Sequence, residues 1–350
     1  MLRSCSAVLG LSLCGFAAAC AAFRGAGDGG NGRWQHLAAP TRASLRGLGA
    51  LDAARAWVGG AGGEVWRTTD GGTTWRNVSP PGAAACDFRD VELLGPEQAL
   101  VLSAGDAARV YRTDDGGVSW RVVLADTRKG AFFDAMAFAG ETGVLFADPL
   151  NGGFCLWTTR DGGASWQPVG RDLLPAPLPG EAAFAASGTC VVATGTAAAP
   201  AFWIATGGSE RARLLRGGFG RWRAEDVPLA AGAPSRGGFG LAVHGSHAVL
   251  VGGDYAAPTV SEGSGARSED GGETWQPIAG GVGGYRSAVL WLDDARLLAV
   301  GSDGTSLSTD QGRTWRVVAG EGFHALARGA DGTVWAAGAA GRIARWIDAR

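Results

Sequence analysis

The stretch Thr68-Thr69-Asp70-Gly71-Gly72-Thr73-Thr74-Trp75 decides the fold, because its frame returns four more times along the chain. The frame reads Ser/Thr-x-Asp-x-Gly-x-Ser/Thr-Trp, and the later copies are Thr113–Trp120, Thr159–Trp166, Ser268–Trp275 and Ser308–Trp315. An Asp carboxylate can accept hydrogen bonds from backbone N–H groups a few residues further on, and Gly supplies a positive-φ step. Together they close a hairpin between strands such as Val65-Trp66-Arg67 and Trp75-Arg76-Asn77-Val78. The Trp offers a large apolar face to a neighbouring sheet. Asp70, Asp115, Asp161, Asp270 and Asp310 are therefore read as structural residues.

The spacing of these Asp residues sets the architecture. Successive intervals are 45, 46, 109 and 40 residues, so the interval of 109 holds one degenerate unit without the motif. That unit is placed at 184–227, with Phe202-Trp203-Ile204 as a strand and Trp222 ending its hairpin. A period of 40 to 55 residues, with about four strands per unit, is that of a propeller blade. Six blades follow directly. A seventh is assembled from Phe323–Leu326, Thr333–Trp335 and Arg342–Ala344, completed by the isolated segment Arg33–Leu37 from the front of the chain. The expectation is all-β: a seven-bladed β-propeller of four-stranded blades over 34–350, its ring closed by strands from both termini, which removes exposed edges.

Composition agrees. Of 350 residues 60 are Gly and 14 are Trp. Collagen needs Gly at every third position, and a disordered chain lacks apolar residues, whereas this one is 46% hydrophobic. With 31 basic against 33 acidic residues there is no basic excess of the kind nucleic-acid binders carry. Lys129 is the one lysine among the basic residues, and this Arg preference is read as codon usage in a GC-rich genome.

At the front, Arg3 precedes an apolar run from Ala7 to Ala19 that ends in three alanines. This is the pattern of an export signal over 1–19, too short for a mature span. Cys20 follows, and the segment resembles a bacterial lipobox, with Ala17 where Leu is usual. Ordinary cleavage after the alanines fits the same residues. The Gly-rich linker 20–33 would suit a tether from a lipidated Cys20. The expected location is outside the cytoplasm, as a periplasmic or outer-membrane lipoprotein. Cys86, Cys155 and Cys190 have no CxxC spacing and are read as buried free thiols.

The repeated motif is the Asp box, or BNR repeat, and resembles those of sialidases, xyloglucanases and sortilin-like receptors. The single ring of seven, the export signal and the box-poor fourth blade most resemble the photosystem II assembly and stability factor family. That resemblance implies a non-catalytic scaffold in the lumen or periplasm that holds a protein partner, with the partner's identity not transferable. Sialidases carry an Arg-Ile-Pro motif and a Tyr nucleophile. Here Arg-Ile-Pro is absent, and the tyrosines are Tyr111, Tyr255 and Tyr285. Tyr285 aligns with Phe88, Phe133, Phe184, Phe239 and Phe323 at the start of the innermost strands, which makes it a packing position. Xyloglucanases need twice this length. Glycoside hydrolysis remains an alternative if Asp134, Asp148, Asp254 or Asp303 face one another across the channel. An oxidoreductase is a further alternative, but no residues for a redox cofactor are found. His36, His244, His247 and His324 are scattered, with His244 and His247 expected on opposite strand faces, so neither a metal nor any other cofactor is expected.

The position after each inner-strand aromatic (or Leu45) gives the candidate site. It holds Arg46, Arg89, Asp134, Ala185, Gly240, Arg286 and His324, which should form a ring around the axis. Arg46, Arg89 and Arg286, with His324 and Asp134, are the candidate residues for an anionic ligand or partner, since guanidinium groups fork-bond carboxylates. The competing reading is that these arginines bond carbonyls of other blades or acids such as Asp90 and only join blades.

Overall fold

The computed structural model describes residues 32–105 and 108–348. The export signal over 1–19, Cys20 and the linker up to residue 31 lie outside the described residues. The described residues form seven four-stranded antiparallel sheets. Blade 1 is β2 (Leu45–Ala50), β3 (Ala56–Gly60), β4 (Val65–Thr68) and β5 (Arg76–Asn77). Blade 2 is β6 (Asp87–Leu93), β7 (Ala99–Ala104), β8 (Arg109–Thr113) and β9 (Arg121–Ala125). Blade 3 is β10 (Phe133–Ala139), β11 (Thr142–Leu150), β12 (Gly153–Thr159) and β13 (Gln167–Pro168). Blade 4 is β14 (Val191–Thr196), β15 (Ala199–Ala205), β16 (Ala212–Gly217) and β17 (Arg223–Val227). Blade 5 is β18 (Arg236–His244), β19 (His247–Asp254), β20 (Gly265–Ser268) and β21 (Gln276–Pro277). Blade 6 is β22 (Ala288–Trp291), β23 (Leu297–Gly301), β24 (Gly304–Ser308) and β25 (Arg316–Ala319).

Blade 7 joins the two ends of the chain. Its strands are β26 (Ala325–Arg328), β27 (Val334–Ala337) and β28 (Ile343–Ile347), with β1 (Arg33–His36) on the outer edge. Trp34 pairs with Trp346 in register, packs on Phe323, and donates its indole N–H to Thr305 of blade 6 at 2.9 Å. The first strand of the chain is thus tied to the last two blades.

All five Asp boxes have one geometry. In the first, Thr74 donates both its N–H and its hydroxyl to Asp70, at 2.9 and 2.6 Å, while Thr68 accepts from Gly72 N at 2.9 Å. Such donors stabilise the ionised form. Hydrogen bonds from Ser119 hold the Asp115 carboxyl down at about 2, and those from Thr274 do the same for Asp270.

The box is not only a local turn. Its second glycine has φ between +75° and +84° in all five copies and lies against a side chain of the blade before it. A Cβ on Gly117 would stand 2.5 Å from Val78, and one on Gly272 would stand 2.4 Å from Trp203. Arginines reinforce four of these seams; Arg112 donates to Gly162 O of the third box, and the other three also lie over a Trp. Arg67 lies over Trp57 and donates to Gly116 O of the next box at 3.2 Å. Arg216 lies over Trp203 and donates to Gly271 O at 2.7 Å, and Arg345 lies over Trp335 and donates to Ala53 O at 3.2 Å. A cation over an indole contributes about 0.5–2 kcal/mol depending on desolvation.

Several expectations need correction. Blade 4 begins at Val191, so Phe184 lies in the connection before it and not on an inner strand. His244 and His247 are direct partners across the β18–β19 turn and both approach Trp291, because alternation along one strand does not govern neighbouring strands. Cys86, Cys155 and Cys190 are buried and free, as read from the sequence.

Gly117→Ala should destabilise the protein by more than about 1 kcal/mol in urea unfolding, because both φ and space oppose a Cβ. Gly220→Ala, where a Cβ meets nothing within 4 Å, should stay within about 0.5 kcal/mol. Equal effects would show that the box glycine does not seat one blade on another.

Candidate functional site

The innermost strands begin with a bulge that sets which side chains reach the axis. In β2 the bulge falls at Arg46, in β6 at Arg89, in β10 at Asp134 and in β18 at Phe239. The residue before the bulge donates its N–H to the preceding blade, as in Leu45 N to Gly338 O and Phe323 N to Gly301 O. In blade 6 this donor is Arg286, bonded to Gly252 O. Ser287 is then the bulge residue of blade 6 and His324 that of blade 7. The expected ring is therefore shifted by one residue in blades 5 and 6. Phe239 and Ser287 take the places assigned to Gly240 and Arg286.

Arg286 consequently leaves the candidate set. It is 1% exposed, and it bonds Ser306, Tyr285 O, Gly283 O and Asp303, the last at 3.0 Å. Tyr285 is buried against Phe239 and Ala186, as expected of a packing position, and also lines the cavity at the axis. Asp134 keeps the bulge position but does not line the cavity. It is fully buried, and neither of its oxygens has an N–H or O–H donor. Burial, and next the Asp148 carboxyl, push it well above the usual carboxylate range, while burial raises Asp148 to about 6. A neighbouring carboxyl opposes ionisation in the same direction as burial does.

The channel is not open. The connection 169–190 between blades 3 and 4 is longer than any other between blades, and its last part crosses the axis. Its entry is fixed by Glu181, which is buried against Arg213 and accepts from Thr206 at 2.7 Å. From there, Ala183 N donates to Asp148 at 3.2 Å, and Ser187 donates to Ser287 O of blade 6 at 2.7 Å. Gly188 lies against Asp90 so closely that a Cβ would stand 2.3 Å from its carboxylate. Residues 182–189 are thus a plug tied to blades across the ring. Sequence reasoning missed it, because a run of small residues has no periodicity. The length of the connection was its one trace.

The plug leaves a cavity at each end. At the end where the inner strands start, a blind cavity of about 500 Å³ has Ala182–Ala186 as its floor. One side carries Arg46, Arg89 and His324, the other Phe184, Phe239, Tyr255 and Tyr285. Arg89 pairs with Asp87 at 2.8 Å and donates to Ala185 O at 3.4 Å. Arg46 makes one long contact, 3.5 Å to Ala186 O. Burial, and next the charge of Arg89, lower its pKa. His324 is pushed down to about 4 by burial and by Arg46, so it is neutral at pH 7. Both arginines thus contact carbonyls, as in the competing reading, but carbonyls of the plug and not of a neighbouring blade. These contacts leave most of the Arg46 fork unused.

The opposite end is lined by carboxyls. A cavity of about 240 Å³ is lined by Asp90 and Glu92 beside Ser187 and Thr189. Asp90 accepts from Met136 N at 2.7 Å, and burial pushes it up to about 7. Of the carboxylates considered for hydrolysis, Asp254 is bound by Arg236 and Asp303 by Arg286. Asp134 and Asp148 are neighbours. A pair facing one another across a substrate is not found among these four.

A carboxyl raised in the folded state binds a proton that the unfolded chain has already lost. Its stabilisation is full below about 3.8 and falls as pH rises to about 7 for Asp90. The melting temperature should therefore drop between pH 4.5 and 7.5, and drop less in Asp90→Asn, which keeps an oxygen for Met136 N. Parallel profiles for the two proteins would show that Asp90 is ionised throughout.

No protein-family model matches the sequence, and no curated protein aligns with it. Among solved structures, one of YCF48 bound to D1 peptide is similar, with TM-score 0.62 and 16% identity over 90% of this chain and 94% of that one. YCF48 from Cyanidioschyzon merolae is similar with TM-score 0.59 and 17% identity, over 89% of this chain and 98% of that one. A streptogramin B lyase matches with TM-score 0.59 and 11% identity, over 91% and 98%. At these identities the likeness is one of fold: this chain is a seven-bladed β-propeller built like those of YCF48 and the lyase.

Proposed function

We propose that this chain is an exported, non-catalytic scaffold that takes an anionic segment of a protein partner into its blind mouth. The observation that carries this reading is Arg46, a half-buried guanidinium whose one contact is a long one to Ala186 O, while the carboxyl that also lines its cavity, Asp148, accepts from Ala183 N. Desolvating a charge without a partner is costly, and a ligand carboxylate would relieve both that cost and the repulsion from Arg89. A cavity near 500 Å³ is of the size that ligands occupy. One propeller of similar fold, YCF48, has a D1 peptide bound, which fits a protein ligand here.

Arg46 and Arg89 are the binding residues of this proposal, with His324 as a neutral hydrogen-bonding group beside them. Asp134 would act behind the plug, by holding Asp148, and not on the ligand. The same reading places the protein in the periplasm or on the outer membrane, anchored through Cys20.

Replacing Arg46 and Arg89 together by Ala should abolish capture of the envelope partner while changing the melting temperature little. Undiminished capture would overturn the reading. Mass spectrometry of the mature protein should find a diacylglyceryl group on Cys20, and an unmodified terminus would remove the anchor.

A further inference from the structure

The cavity has a second wall that the arginines do not explain. Phe239 stands at the bulge position where blades 1 and 2 place Arg46 and Arg89. Phe184 of the plug stacks on it with ring centres 3.8 Å apart, and Tyr285 meets its edge at 4.8 Å. Tyr255 crosses both phenylalanines at 6.1 and 6.3 Å, yet remains 52% exposed. Tyrosine is among the residue types enriched at binding hot spots, and this one stands at the rim of the cavity with half its surface in water.

Resting on the binding reading above, we infer that this aromatic wall selects the partner segment. The occupant is a peptide in which a carboxylate lies beside an aromatic side chain. The carboxylate pairs with Arg46, and the ring packs against Phe184 and Tyr255 on the facing wall. Charge complementarity fixes one end of the ligand and apolar burial the other, so a chain with either feature alone binds weakly. The plug makes the cavity blind, so the segment enters and ends or turns back. The carboxylate can belong to a chain terminus or to an acidic side chain next to the aromatic residue.

The test uses the mature protein and short acetylated peptides in fluorescence or calorimetric titrations. One peptide ends in phenylalanine with a free carboxylate, and one carries phenylalanine beside an internal aspartate and has an amidated end. Each is paired with a version bearing alanine for phenylalanine and a version lacking the carboxylate. The better of the two phenylalanine peptides identifies the source of the carboxylate and should bind about ten-fold tighter than its alanine version, equivalent to about 1.4 kcal/mol. Tyr255→Ala should shrink that preference to less than about three-fold. Tyr255 is exposed, so this variant tests the wall without removing core. If phenylalanine and alanine peptides bind equally, with the carboxylate still required and Arg46→Ala still harmful, the aromatic inference fails and the anion reading stands. If removing the carboxylate changes nothing in either peptide, the anion reading fails as well.

Discussion

The contact on which the rest of the molecule depends is the seat of each Asp-box glycine on the blade before it. At Gly117 and Gly272 the backbone lies so close to Val78 and Trp203 that no side chain fits between, and the positive φ turns the hairpin onto its neighbour. The carboxylate at the centre of the box is spent on donors from its own turn, which keeps that turn rigid. Rigidity matters because a ring transmits every error in blade angle to its closure. Here closure rests on the short pairing of β1 with β28 and on the Trp34 bond to blade 6.

Blade 4 lacks the box, and its seam is built differently. Its hairpin runs Gly217-Gly218-Phe219-Gly220-Arg221-Trp222, and the seam to blade 3 is made by Arg160 over Phe219 with the ring centre 3.5 Å away. The connection leading into this blade is the one that fills the channel. Its small side chains let backbone approach Asp90, Arg46 and Arg89 from inside, so the central cavity is divided into a basic, aromatic mouth and a far end whose carboxyls burial pushes up.

The blade count and the closing strand were legible because the box is repeated and its spacing measures the unit. The inner ring was legible only in part. Aligning the first aromatic of each inner strand works for Phe88, Phe133 and Phe323, but a bulge adds a residue whose place the sequence does not mark. In blades 5 and 6 the aromatics Phe239 and Tyr285 sit one position away from the expected one, which exchanges Arg286 for Ser287 at the axis. Arg46, Arg89 and His324 were found, whereas the plug was not, since Ala182–Thr189 has neither pattern nor charge. The Arg preference, read as codon usage, includes Arg67, Arg216 and Arg345, each of which spans a seam between blades in a way a lysine ammonium could not match.

The proposed anion site lies at the bottom of a blind mouth, beside a guanidinium that the protein itself leaves without a carboxylate. Crystals soaked in bromide and measured for anomalous scattering test this most directly. An ordered bromide between Arg46 and Arg89 is the expected result. Bromide bound at surface arginines such as Arg296 and Arg313, with none at Arg46, would contradict it.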